Sequence, residues 1–132
     1  MAVPRNGTLV LDSGGVSRLA NRQRAAALVR QLLEADVWPP HVPTVVLVEC
    51  LAGHPGKDAP THRLLKDCVI DEAIPPSLAR RAAHLRTTAG RGSAVDAVVV
   101  ASAEPGGAVL TSDPVDLGAL ATGSSGVRIV RV

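Results

Sequence analysis

A chain of 132 residues fits one domain, in which roughly two-thirds of the surface of the unfolded chain would be buried. Hydrophobic residues at 46% and charged residues at 20% exclude a disordered chain, and no apolar run approaches the roughly 20 residues that a membrane-spanning helix needs. The formal charge of +2 excludes an extreme polyanion binder, but twelve of the fourteen basic residues are Arg, concentrated in 18–30 and 80–91.

The amino-terminal stretch MAVPRNGTLVLD has neither the charged start nor the cleavage site of a secretory leader, so a cytoplasmic protein is expected. TLVLD, residues 8–12, is an apolar run ending on a carboxylate, which predicts a buried strand followed by a turn at Ser13, Gly14 and Gly15. From Val16 to about Ala35, Leu19, Leu28, Leu32 and Leu33 recur at helical spacing, which one broken helix or two consecutive helices would satisfy. Three prolines in VWPPHVP, residues 37–43, leave room for a short strand at the ends only.

TVVLVECLAG, residues 44–53, is ambiguous: its β-branched residues favour a strand, whereas Thr44 as N-cap and Gly53 as stop favour a helix. HPGKDAP, residues 54–60, reads as a loop, THRLLKD, residues 61–67, as a short helix and CVIDEAI as a strand. Pro75 and Pro76 open a helix that ends at Gly90, and Ser93 caps a mostly buried helix, AVDAVVVASA. GAVLTSD, residues 107–113, repeats the strand-then-carboxylate pattern, Pro114 opens a helical turn, and VRIVRV closes the chain as a strand. Strands alternating with helices predict an α/β fold with a mainly parallel sheet covered on both faces.

Both strand-ending acids, Asp12 and Asp113, fall at the carboxyl edge of such a sheet, where open α/β folds bind ligands. Asp96, in the first turn of its helix, is expected to face the same edge. Glu49 and Asp96 each sit in a run of Val, Leu and Ala with no Lys or Arg three or four residues away. If buried, such carboxylates would need a partner, and a shared divalent cation is the economical one. Oxygen donors alone favour Mg²⁺ or Mn²⁺ over Zn²⁺. His41, His54, His62 and His84 stand singly and receive no role, and Cys50 and Cys68 lack metal-site spacing and read as apolar fillers. Arg18, Arg22, Arg24 and Arg30, with Arg80, Arg81, Arg86 and Arg91, present either a phosphate-attracting surface or ordinary solvated helix faces. With no Phe or Tyr, only Trp38 is available to stack on a base.

LVLDSG, VPTVVLVECLAG, SAVDAVVVASA and VLTSDPVDL resemble, in order and spacing, the four acidic motifs of the PIN-domain family. The VPT–E segment and the TSDPxDL ending are most similar to its bacterial VapC-type ribonuclease toxins. The resemblance implies one PIN-like nuclease domain over 1–132, a three-layer α/β/α fold with a mainly parallel sheet of four or five strands, and Glu49 on a helix capped by Thr44. It implies Asp12, Glu49, Asp96 and Asp113 as catalytic metal ligands, Asp116 as a weaker outer member, and Ser13, Thr111 and Ser112 as residues that orient them. It further implies a Mg²⁺-dependent endoribonuclease, with Mn²⁺ as a substitute, that acts as the toxin of a toxin–antitoxin pair. The expected partners are RNA, a cognate antitoxin and a second copy in a homodimer. Gly14 and Gly15 depart from the bulkier residues of many relatives, which suggests a mobile first turn and motivates a second reading: a catalytically weak module that binds RNA or protein. A Mg²⁺-dependent phosphatase also begins with a strand ending in Asp, but Gly14 stands where its second acid belongs.

Overall fold

The computed structural model describes residues 7–132, so the reading of the extreme amino terminus as leaderless concerns residues 1–6, outside the described ones. Five short strands form one all-parallel sheet: β1 (Leu9–Leu11), β2 (His41–Pro43), β3 (Val69–Asp71), β4 (Ala108–Thr111) and β5 (Arg128–Arg131), in the spatial order β3-β2-β1-β4-β5. The central pair is in register from Leu9 opposite Ala108 to Leu11 opposite Leu110. Every residue of β1 and β4 is buried, as expected of strands covered on both faces.

Seven helices connect the strands: α1 (Ser13–Ala20), α2 (Arg22–Glu34), α3 (Thr44–Cys50), α4 (Pro55–Leu65), α5 (Pro76–Ala89), α6 (Ala94–Ala103) and α7 (Pro114–Thr122). The chain moves outward from β1 to β2 and β3, then returns to the other side of β1 and continues through β4 to β5. Right-handed crossovers running in opposite directions put their helices on opposite faces. Accordingly α1 packs with α2, α3 and α4, while α5, α6 and α7 pack on one another, giving an α/β/α sandwich. Its core is almost wholly aliphatic, with Leu9, Leu11, Leu32, Leu85, Leu110, Leu117 and Leu120 the largest fully buried side chains.

Several local expectations change. The segment 16–35 is two helices, and both start earlier than the apolar periodicity indicates, because Asp12 and Asn21 serve as N-caps. Leu33 points outward, 56% exposed. The 44–53 segment is a helix only over Thr44–Cys50, so it stops at Leu51 and not at Gly53, and Thr44 is its first residue rather than its cap; the Thr44 hydroxyl instead donates to the Asp71 carbonyl at 2.8 Å, tying α3 to the end of β3. HPGKDAP is not a loop: His54 caps α4 by accepting from the Lys57 N–H at 3.3 Å, and Pro55 occupies the first turn, where its missing N–H costs nothing.

Candidate functional site

The strand order reverses between β1 and β4, and crevices at such reversals, outside the carboxyl ends of the strands, are where open α/β sheets bind ligands. Asp12 directly follows β1, and Thr111 is the last residue of β4. The Thr111 hydroxyl donates to Asp12 Oδ2 at 2.5 Å, while the Gly15 N–H donates to Asp12 Oδ1 at 2.7 Å. One carboxylate thereby caps α1 and bridges the reversal. At 8% exposure it is buried, and burial raises its pKa above the ordinary value despite the hydrogen bonds from Thr111 and Gly15, with the Asp96 charge adding to the rise.

The close approach of α1 to β4 depends on the two glycines. A Cβ on Gly14 would stand 2.2 Å from Ser112 Oγ, and one on Gly15 would stand 2.3 Å from the Leu110 carbonyl oxygen. The glycines therefore let the first turn pack tightly on β4 where slack was expected, and bulkier residues would have to push the two elements apart.

Glu49 lies in the last turn of α3 and is exposed. Its pKa is nonetheless raised, first by partial desolvation and then by the like charges of Asp96 and Asp12, so the fields of three sequence-distant acids overlap here. Asp96 is half-buried at the third position of α6. It forms a reciprocal capping box with Ser93, whose hydroxyl accepts from the Asp96 N–H at 3.0 Å while Asp96 Oδ2 accepts from the Ser93 N–H at 3.3 Å. The expectation that Glu49 and Asp96 are stranded in apolar surroundings therefore fails: α3 turns Glu49 outward, and Asp96 is solvated and capped. Of the four acids, only Asp12 is buried.

Asp113 is the N-cap of α7 and is exposed; its own N–H donates to Thr111 Oγ1 at 3.0 Å, so one hydroxyl links the acids that follow β1 and β4. Asp116 is committed elsewhere, pairing with Arg91 Nε at 2.7 Å. Among the three supporting side chains, Thr111 is the one that hydrogen-bonds a carboxylate in the described residues, and Ser112 instead packs against Gly14.

As the side chains stand, no three His, Cys, Asp or Glu groups among the described residues come together closely enough to hold one ion. The donor set still suits a hard cation. Asp12, Glu49 and Asp96 are oxygen donors, none of which pairs with a Lys, Arg or His among the described residues, and beyond burial the Asp96 charge disfavours ionisation of the other two.

The arginines do not make one surface. α1 and α2 lie across the sheet from α5; Arg18 donates to the Arg24 carbonyl, and Arg81 forms a two-pronged pair with Glu104 at 2.8 Å for each contact. Trp38 is half-buried, packs on the core and precedes β2, at the sheet edge opposite the acids, so it offers no stacking platform beside them. Cys50 and Cys68 are half-buried free thiols, and burial, helped by Asp67, pushes Cys68 up to about 11.

Three polar ties were not foreseen. Asp58 is buried and accepts from the N–H groups of Ala52, Gly53 and His54, knotting the α3–α4 turn, and these bonds lower its pKa. His41 pairs with Asp71 at 3.1 Å across β2 and β3. The Arg81–Glu104 pair is the third. Only the His54-Pro55 step, a cap residue followed by proline, carried a sequence signal for the first of these.

No family model matches the chain, and no curated protein matches it. No helix of the described residues is long and apolar enough to cross a membrane.

Proposed function

We propose that this chain is a divalent-metal-dependent endoribonuclease of the PIN-like, VapC-type toxin kind, acting in the cytoplasm. The observation that carries the reading is that, beyond the effect of burial, the Asp96 charge raises the pKa of both Asp12 and Glu49, and the Asp12 charge that of Glu49, at the β1–β4 reversal, with Asp113 joined to Asp12 through the Thr111 hydroxyl. Asp12, Asp96 and Asp113 each also serve a helix start, but Glu49 has no such structural partner among the described residues, and a held cation accounts for its standing within the field of Asp12 and Asp96. The motif resemblance supplies the reaction class.

Asp12, Glu49, Asp96 and Asp113 would hold Mg²⁺ or Mn²⁺, directly or through water. Such an ion supplies Lewis acidity toward the scissile phosphate and a water that ionises near neutral pH. Asp12 gives the fixed point, because Thr111 and Gly15 hold both of its oxygens. Glu49, exposed on the last turn of α3, would complete the donor set with one oxygen and with the other accept the proton lost by the attacking water. Asp113 and the amino end of α7 border the crevice on the β4 side.

An apolar groove of about 370 Å³ between α3, α5 and α6, lined by Val45, Ile74, Ala83, Val95 and Val98, offers a seat for the amphipathic segment of an antitoxin. Homodimerisation follows from the same resemblance, and Val48, 81% exposed beside Glu49, is an apolar residue that such contacts would cover.

The test is cleavage of total RNA in Mg²⁺ by wild type and Asp96→Asn, with EDTA as control. Wild type should cut, and Asp96→Asn should lose at least about a hundredfold, as expected when several kcal/mol of transition-state charge stabilisation is removed. The spread of the carboxylates favours a second reading, the catalytically weak RNA- or protein-binding module. RNA binding and growth arrest that survive Asp96→Asn unchanged would establish that reading in place of the first.

A further inference from the structure

The short connection between α5 and α6 is pinned by two arginines that each spend only one nitrogen on the protein. Arg86 Nε donates to the Gly92 carbonyl at 3.0 Å, and Arg91 Nε donates to Asp116 Oδ1 at 2.7 Å. The stretch has little freedom to move otherwise. Gly90 and Gly92 hold φ values of 68° and 94°, and a Cβ on Gly92 would stand 2.8 Å from Leu120 Cδ1. Gly92 leads directly into Ser93, whose reciprocal hydrogen bonds fix Asp96. Arg91 is therefore attached at one end to the turn that carries Asp96, and at the other to the helix that Asp113 caps.

An RNA strand approaching this edge meets Asp12, Glu49, Asp96 and Asp113, all anionic. Among the described residues, Arg81 is occupied by Glu104 and by the Gly123 carbonyl, and Arg18 lies on the opposite face. Among the described residues Arg91 keeps both terminal amino groups without a hydrogen-bond partner, and its side chain is 54% exposed. A carboxylate on Nε orients a guanidinium so that its outer fork points away, the geometry that takes a phosphate with two parallel hydrogen bonds. An exposed ion pair contributes little to folding, so a phosphate can engage Arg91 without a stability cost.

We propose that Arg91, oriented by Asp116 and seconded by Arg86, binds a backbone phosphate of the RNA next to the scissile one. Asp116 is then a positioning residue for an arginine and not an outer metal ligand. The inference rests on the RNA-cleaving reading of the site, but it is separable from it by experiment.

Binding of a short single-stranded RNA oligonucleotide is measured in EDTA, where cleavage is suspended, over a range of salt concentrations; cleavage in Mg²⁺ is measured in parallel. Arg91→Ala should weaken binding about tenfold and flatten the dependence of log affinity on log salt by about 0.7, the value for one lost phosphate contact on a single strand. Arg91→Lys should keep the salt slope while losing part of the affinity. Asp116→Asn should lower affinity at unchanged slope; if Asp116 merely repelled RNA, its removal would tighten binding and overturn the positioning role. Unchanged affinity and slope in Arg91→Ala, with wild type still cutting in Mg²⁺, overturns the phosphate contact and leaves the nuclease reading standing. An Arg91-dependent slope in a protein that never cuts does the reverse. Wild type that binds no RNA in EDTA overturns the phosphate contact, and wild type that neither binds in EDTA nor cuts in Mg²⁺ overturns both.

Discussion

The two ends of the acidic crevice are built on different terms. At the inner end Asp12 is buried, both of its oxygens are hydrogen-bonded, and the backbone around it is so close-packed that two glycines have no room for a Cβ. At the outer end Glu49 is exposed on the last turn of a short helix, and the Asp113 carboxylate, among the described residues, accepts only from the Val115 N–H of its own helix start, at 3.5 Å. The difference teaches that the inner acid can be preorganised because the strands beneath it are rigid, whereas the outer acids must move to meet a ligand. Rigidity at one point and reach at the other suit a site that admits a bulky, charged polymer.

The sharpest way to break that contrast is to force the inner end open. Gly15→Ala places a methyl against the Leu110 carbonyl, and overpacking of this kind should cost about 3 kcal/mol, more than any helix-propensity gain; thermal unfolding checks it, with Glu49→Ala expected to leave stability nearly unchanged. Thr111→Val keeps the shape and deletes the hydroxyl that serves both Asp12 and the Asp113 N–H. Leaving those groups short of a partner should cost about 2 kcal/mol, raise the Asp12 pKa further, and weaken Mg²⁺ affinity by about 10-fold or more, read by calorimetric titration.

The pH dependence sharpens the same comparison. Asp12 and Glu49 have folded-state pKa values raised above 3.8 and 4.5, so their protonated forms are favoured in the folded state. The stability they contribute is present at low pH and is lost as pH rises through the raised values. A cation that binds the ionised forms should therefore raise Tm most at neutral pH, with a Mg²⁺-induced shift that shrinks as pH falls toward that window; a shift independent of pH would remove the carboxylates from the binding site. Glu104 behaves oppositely, since Arg81 and the Ser125 N–H lower its pKa below 4.5. Its contribution is present above that value and lost as pH falls through the lowered one. Glu104→Gln should accordingly give a modest fall in Tm at neutral pH that disappears in acid.

How much of this was legible beforehand follows from how each element is buried. β1 and β4 were readable because strands covered on both faces must be unbroken apolar runs, and their carboxylate endings put Asp12 and Asp113 at one edge. The all-parallel five-stranded sheet agrees with the expected α/β/α layering. α3 was ambiguous because its β-branched residues argue against the helix it forms, and its hold on β3 through Thr44 is a long-range contact with no local trace. The burial of Glu49 was misjudged for a related reason. Apolar neighbours in the chain do not say which side of a seven-residue helix faces water. The tie of Asp116 to Arg91 spans 25 positions, and that of Arg81 to Glu104 spans 23, beyond anything spacing along one helix can register.

The Glu104 clasp lies beyond the end of α6, before β4 begins, and reaches Arg81 on α5, the Ser125 N–H ahead of β5 and, through Arg81, the Gly123 carbonyl after α7. It gathers three connections at the pole of the sheet where no chemistry is proposed. Reinforcing the Ser124–Gly126 turn or the Arg81 stem can therefore raise resistance to heat and handling at a distance from the acidic rim, where Asp12, Gly15 and Thr111 must stay for stability and only the exposed outer positions are free to be altered for substrate preference. Durability has contributors at both poles of the strands, whereas selectivity is confined to one.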